Sequence, residues 1–511
     1  MARQFKSTQD YPVVQTRFGK LRGFELDGMF HFYGVQYAKA KRFQMPEDPD
    51  AWEGVKNATN YGCICPTMGN PIPSVEIMIP HRFWPENENC QSLNIWTKSL
   101  DPETKKPVVV WYHGGGYADG SSLEQVAYEG DALCEYGDVV VVTVNHRLNI
   151  LGYFDLSSFG EKYWNSGNAG NADIVASLKW IHENIAGFGG DPENVTIFGQ
   201  SGGGGKVCDM LQTPAAAGLF HKGIMMSGGA GSMRAREPED HREFAEAMMK
   251  SLGFSSVEEL ETIPYDLLAK AYIHVCNVLN KALMWHPIPN DWYLGHPVNV
   301  GFSDYAKKVP TIVTTVECEF TAFAPMDSVP DKDERFQGHG EEALAAFRKA
   351  YPGKPDWMVS WISDRTSITN FMDARAASDP ETPGYTSVFA LEFELDNGRP
   401  AWHCSDIPYV FHNTFRCPYT NIEGVSDKLE DEIAGALVAF ARTGDPNHDG
   451  MPAWKPYTKD CHATMVFDRT SECRIGFDEP LNQVMQQYAP PHTFTARIPK
   501  EDDNAGRDWQ Y

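Results

Sequence analysis

From about residue 107 onward the chain alternates short β-branched runs with stretches in which apolar side chains recur every three or four positions. Val108-Val109-Val110-Trp111-Tyr112, Val139 to Val144 and Val195-Thr196-Ile197-Phe198 are almost wholly apolar or β-branched, the signature of strands buried on both faces. Between the last two, Ile174, Leu178, Ile181 and Ile185 are spaced by four, three and four residues, which predicts a helix with one apolar face. Strand, helix and strand in that order form a βαβ unit and imply a mostly parallel sheet covered on both sides. Further strands are expected over 311–316 and 387–393. Ile433, Leu437 and Phe440 mark a late helix, which Arg442 in its last turn, Gly444 and Pro446 bring to an end. The stretches 230–305 and 325–385 mix helical patterns and are expected to cap the sheet. No repeat and no Gly/Ser linker divides the chain, so one α/β domain is expected over 1–511, with a core of about 12–490 and a polar tail over 491–511.

Charge narrows the function. The 511 residues carry 44 Lys+Arg against 69 Asp+Glu, a formal net charge of −25, whereas a nucleic-acid partner calls for a basic surface. No apolar run exceeds strand length, so no membrane span is expected. Met1-Ala2-Arg3-Gln4-Phe5-Lys6 lacks the apolar stretch of an export signal, and a cytoplasmic location is expected. The eleven cysteines are scattered, and Cys63-Ile64-Cys65 is too tight for the usual zinc spacing. They are expected to be reduced thiols, with no metal site.

The chemistry concentrates at Gly199-Gln200-Ser201-Gly202-Gly203, directly after the strand ending at Phe198 and before a helical pattern. In that setting G-x-S-x-G is a nucleophile elbow: a cramped turn that lifts Ser201 to the carboxyl edge of the sheet. A chance glycine turn would carry the same letters but not the preceding strand. The run Gly202 to Gly205 weakens a helix start by about 1 kcal/mol per residue relative to alanine, so close approach of backbone must offset it. Gly205-Lys206 is not a phosphate-binding loop, because that pattern requires glycine at 200 and Ser or Thr at 207, where Gln200 and Val207 stand. Upstream, strand 108–112 runs into His113-Gly114-Gly115-Gly116-Tyr117, the HGGG-type loop that turns backbone amides toward a developing oxyanion. A serine hydroxyl needs a base, and the base an orienting acid, in the chain order Ser, acid, His. Glu317 and Glu319 both follow the strand over 311–316, and periodicity does not choose between them. His403, in Ala401-Trp402-His403-Cys404-Ser405-Asp406, lies at a suitable distance after the strand over 387–393.

These segments together resemble the type-B carboxylesterases, the cholinesterase-like group of α/β-hydrolases. The likeness covers roughly residues 12–490: Phe32 to Ala38 with Arg42-Phe43, Cys90 to Ile95, the HGGG loop, Asn145 to Leu148, Asn184 to Asp191, the elbow, Leu219 to Lys222 with Ser227-Gly228, and Phe440 to Asn447. It implies an α/β-hydrolase fold, a large, mixed, mostly parallel twisted sheet flanked by helices with helical cap insertions. It also implies Glu319 as the acid, His403 as the base, and the amides of Gly115, Gly116 and Gly202 as the oxyanion donors. The chain departs from the family at Gln200, where a glutamate usually precedes the nucleophile, and at Phe320, where a glycine commonly follows the acid. Cys65 and Cys90 resemble a pair bridged in secreted relatives and are expected to be reduced here.

The resulting expectation is cofactor-free hydrolysis of a small-molecule carboxylic ester by Ser201, His403 and Glu319 through an acyl-enzyme. Tyr117, Gln200, Trp285, Trp292, Phe320 and Trp402 are candidates to line the substrate pocket, the alternative for each aromatic being a place in the core. Two other functions remain open. The same triad serves amides, lactones and carbamates, and some relatives are non-catalytic binding domains, against which the retained Ser201, Glu319 and His403 speak.

Overall fold

Valine runs become the centre of a sheet because their side chains, alternating in direction, find an apolar layer on each face. In the computed structural model, which describes residues 3–68, 81–230, 241–321, 324–395, 398–490 and 498–499, these runs sit in a twelve-stranded sheet. From one edge to the other its strands are Phe5–Lys6, Phe24–Leu26, Met29–Gln36, Ser92–Thr97, Val140–Val144, Lys106–Tyr112, Gly190–Gln200, Lys222–Met226, Thr311–Val316, Gly384–Phe389, Ala463–Phe467 and Glu472–Ile475. The pairs from Val140–Val144 through to Ala463–Phe467 are parallel. The remaining pairs, toward both edges, are antiparallel.

Alternation within one strand separates the two cores. Val108 and Val110 pack with Ile174, Leu178 and Ile181 of the helix Ala169–Asn184 on one face. Val109 and Trp111 pack with Ile433, Leu437 and Phe440 of the helix Ser426–Thr443 on the other. That second helix stops where its sequence predicts: Gly444 takes φ 82° and returns its N–H to the Phe440 carbonyl, 2.8 Å away. The expected caps contain the helices His241–Leu252 and Tyr265–Leu279, and Gly340–Ala350 and Thr366–Ser378.

The strand expected over 387–393 instead spans Gly384–Phe389. Beyond Phe389 the chain leaves the ladder yet stays buried through Leu391 and Phe393, and an apolar run reads the same in a buried loop as in a strand. The polar tail over 491–511 lies outside the described residues except at positions 498 and 499. Among the described residues no helix is long and apolar enough to cross a membrane, and no cluster of side chains is suited to a metal ion. The cysteines are free thiols, Cys65 and Cys90 among them.

Candidate active site

The strand Gly190–Gln200 passes into the helix Gly202–Leu211 through the single residue Ser201, at φ 58° and ψ −125°. Such a conformation in a non-glycine residue costs on the order of 1–3 kcal/mol and needs surroundings that enforce it. Two backbone bonds do so, from Ser201 N–H to the Met226 carbonyl (2.8 Å) and from Gly205 N–H to the Ser201 carbonyl (3.1 Å). The glycine run has the steric reason its sequence demanded. A Cβ at Gly202 would lie 2.0 Å from the Gly116 carbonyl oxygen, at Gly203 2.0 Å from that of Tyr112, and at Gly204 3.0 Å from that of Gly228. At Gly205 it would lie 2.5 Å from the Tyr117 hydroxyl.

The same closeness brings the HGGG loop to the nucleophile. Gly115 and Gly116 take φ 80° and 65°, the left-handed region that glycine enters without strain. Among the described residues, none of the amides of Gly115, Gly116 and Gly202 donates to another protein group. The loop thus lies against the nucleophile turn, with Gly116 beside Gly202 and Gly114 beside Ser201.

From the other side of the sheet's edge, the loop after Thr311–Val316 carries Glu319 and the loop before helix Ile407–Val410 carries His403. His403 Nδ1 is hydrogen-bonded to Glu319 Oε2, and Glu319 Oε1 accepts from Thr315 Oγ1 (2.8 Å) and the Val316 amide (3.2 Å). The Glu319 amide donates to Ser363 Oγ at 2.6 Å, which fixes the loop itself. Burial opposes the Glu319 charge, but the charge of His403 and hydrogen bonds from His403 and Thr315 outweigh it and hold the carboxyl below its ordinary pKa. Glu317, the other carboxylate the sequence leaves open, points elsewhere. It is buried near Lys354 Nζ (3.5 Å), and burial, only partly offset by that lysine, pushes it up to about 8.

Gln200 ties the two sides together. Its Nε2 lies 3.3 Å from His403 Nε2 and 3.5 Å from Nδ1, and its Oε1 accepts from Cys404 Sγ at 3.1 Å. Phe320 stacks on the imidazole with ring centroids 4.3 Å apart, keeps 41% of its surface exposed, and sits at φ 57°. Of the other candidate pocket aromatics, Trp402 is fully buried and packs on Phe393 in the core. Tyr117 is buried with its hydroxyl on Asp209. Trp285 packs on Tyr272 of the cap and on Phe154 outside it, and Trp292 lies against the main core.

Sequence reasoning missed Asp406, a buried carboxyl that burial, and then the charge of Glu319, push up to about 7. It also missed Lys206 and Asp209 in the nucleophile's helix. Their one sequence signal is a charge on either side of Val207 and Cys208, in a turn hemmed in by apolar residues.

A strained serine at a strand-to-helix turn on a parallel sheet, preceded by a residue whose side chain touches a carboxylate-bound histidine, is the arrangement of the α/β-hydrolases. The sequence profile of the Carboxylesterase family matches residues 10–354 and 356–488, and the chain belongs to that family. It is 31% identical to the para-nitrobenzyl esterase of Bacillus subtilis over 94% of this chain and 99% of that protein. It is likewise 31% identical to the phenmedipham hydrolase of Pseudarthrobacter oxydans, over 89% and 94%. A solved esterase from anaerobic Clostridium hathewayi, which can hydrolyze aliphatic aromatic polyesters, superposes with TM-score 0.90 at 47% identity over 95% of this chain and all of that one. The protein is thus a carboxylic ester hydrolase.

Proposed function

We propose that Ser201, His403 and Glu319 carry out two-step ester hydrolysis with the amides of Gly115, Gly116 and Gly202 as the oxyanion hole. Ser201 Oγ attacks the ester carbonyl while His403 Nε2 takes its proton, and the carbonyl π electrons move to the oxygen under the three amides. Glu319 holds the imidazole in the tautomer that leaves Nε2 as acceptor and stabilises the imidazolium. Collapse of the tetrahedral species expels the alcohol, protonated by His403. Water then repeats the sequence on the acyl-enzyme to release the acid and restore Ser201. The residues supply every proton transfer in this scheme, so it needs no metal or organic cofactor. The observation that carries the assignment is the hydrogen bond between His403 Nδ1 and Glu319, with the strained Ser201 one residue from the Gln200 side chain that touches the same imidazole.

The test is labelling by a fluorophosphonate together with turnover of a 4-nitrophenyl ester. Wild type is expected to be labelled once, at Ser201. Ser201→Ala is expected to lose label and acyl-enzyme and to keep its thermal midpoint. Retained turnover in that variant rejects the assignment. We place the enzyme in a reducing compartment such as the cytoplasm, a reading supported by Cys65 and Cys90 standing as separate buried thiols.

A further inference from the structure

An oxyanion hole assembled from two chain segments works only if the segments keep their spacing, and a misplacement of about 1 Å can cost on the order of a hundredfold in rate. The loop His113 to Gly116, three of whose four residues are glycine, turns on two backbone bonds to the Gly115 carbonyl oxygen, from the amides of Ala118 (3.2 Å) and Asp119 (3.1 Å), and rests on Gly202. The helix after the nucleophile adds two side-chain ties at the ends of this loop. Lys206, fully buried, donates from Nζ to the His113 carbonyl oxygen at 2.9 Å. Asp209, three residues further and so on the same helix face, accepts from the Tyr117 hydroxyl at 2.8 Å. The Asp209 carboxylate is itself fixed by Asn171 Nδ2 (3.1 Å) and the Tyr293 hydroxyl (2.9 Å). One helix face therefore grips the chain on both sides of Gly114, Gly115 and Gly116. Gly205, one turn before Asp209, lies against the second grip, where a side chain would collide with the Tyr117 hydroxyl.

Neither charge is cheap. Burial pushes Lys206 down to about 7 against the opposing pull of Glu124 and Asp209, and pushes Asp209 up to about 6 against its three hydrogen bonds. Apolar residues of similar volume often replace buried ions at no loss of stability, so stability alone does not account for them. Resting on the assignment of Gly115, Gly116 and Gly202 as oxyanion donors, we propose that Lys206 and Asp209 are positioning residues that clamp the oxyanion loop to the nucleophile's helix.

The experiment compares wild type and Lys206→Met, as full-length proteins, with a 4-nitrophenyl ester and with a matched pair of inhibitors, a trifluoromethyl ketone and its methyl ketone. The first inhibitor takes Ser201 Oγ onto its carbonyl carbon. The π electrons become an oxyanion and the serine proton passes to His403, so its affinity reads the hole, whereas that of the methyl ketone reads ground-state contacts. In Lys206→Met, kcat and trifluoromethyl ketone affinity are expected to fall together by about 10- to 100-fold, with KM and methyl ketone affinity within about threefold of wild type. A folded Lys206→Met that keeps the wild-type preference for the trifluoromethyl ketone overturns the proposal, even if its thermal midpoint drops. Tyr117→Phe removes the other tether, keeps the ring, and decides the matter if Lys206→Met does not fold. It is expected to lose about three- to tenfold in the same two quantities, and an unchanged preference there also overturns the clamp. A wild type with no preference between the ketones would instead sink the oxyanion assignment beneath it.

Discussion

The two sides of the active site are held in place by different physics. On the nucleophile's side, apart from the side-chain ties of Lys206 and Asp209, backbone rests on backbone: Gly202 against Gly116, Gly203 against Tyr112, and Gly228, whose Cβ would stand 1.9 Å from the Ser201 carbonyl oxygen. On the acid–base side, side chains hold side chains. Glu319 is fixed by Thr315 and His403, Gln200 by Cys404, and two non-glycine residues, Phe320 and Cys404, take φ 57° and 75° in the loops that present the pair. A backbone contact has no slack, whereas a hydrogen-bonded side chain can be replaced by a near isostere that keeps shape and loses chemistry. The nucleophile's side should therefore fail as structure, and the acid–base side as catalysis.

Gly203→Ala is the severest test of the first half of that contrast. Its Cβ would meet the Tyr112 carbonyl oxygen at 2.0 Å and that of His113 at 2.9 Å, both backbone atoms of the central sheet and the loop it feeds. Overpacking of this kind costs about 1–3 kcal/mol or more, and the shift needed to relieve it separates Gly202 from Gly116. The expected result is loss of kcat/KM by about a thousandfold or more together with a lowered urea midpoint. Wild-type stability with the activity loss alone would mean that the contact is less rigid than the comparison requires.

Glu319→Gln tests the second half. The amide keeps the carboxylate's shape and removes the charge that fixes the His403 tautomer, while no buried ion is left unpaired. The expected outcome is a fall in kcat of about 10³–10⁴ with the thermal midpoint within about 3 °C of wild type. Activity within tenfold of wild type would show that Glu319 does not orient the base and would return Glu317 to consideration.

The same contrast explains what could be read from the residues alone. Contacts between backbones demand glycine, and glycine runs are visible: both the HGGG loop and the elbow were identifiable, as was the need for some close approach at Gly202 to Gly205. Acid and base leave no such mark, because Glu317 and Glu319 are two residues apart after one strand and differ only in which way the loop turns them. The parallel strands rich in valine were legible from their apolar runs. The antiparallel strands Met29–Gln36 and Ser92–Thr97, third and fourth from one edge, were not, since histidine, asparagine and tryptophan break their pattern while tertiary packing buries them. Lys222–Met226 was missed for a similar reason: it opens with Lys-Gly, a pair that reads as a turn until neighbouring strands enclose it. Trp402 and Phe320, next to His403 and Glu319 respectively, look alike in sequence, but one is sealed in the core and the other faces outward over the imidazole.

Gln200→Glu gives the smallest effect and the sharpest sign. The Gln200 amide nitrogen lies 3.3 Å from His403 Nε2, on the backbone of the rigid side and in contact with the adjustable one. A carboxylate there favours the imidazolium, so the base takes up its proton at higher pH. Catalysis needs the neutral imidazole, and activity is lost as pH falls through the pKa of the base. The acidic limb of kcat/KM should therefore move to higher pH, by about one pH unit, the low end of the range for opposite charges within ~4–6 Å. At alkaline pH, where the imidazole is neutral in both proteins, the two rates should converge to within a few fold. A limb that stays in place or moves to lower pH would mean that position 200 does not sense the charge on His403, and the link between the two sides of the site would have to run through Ser201 alone.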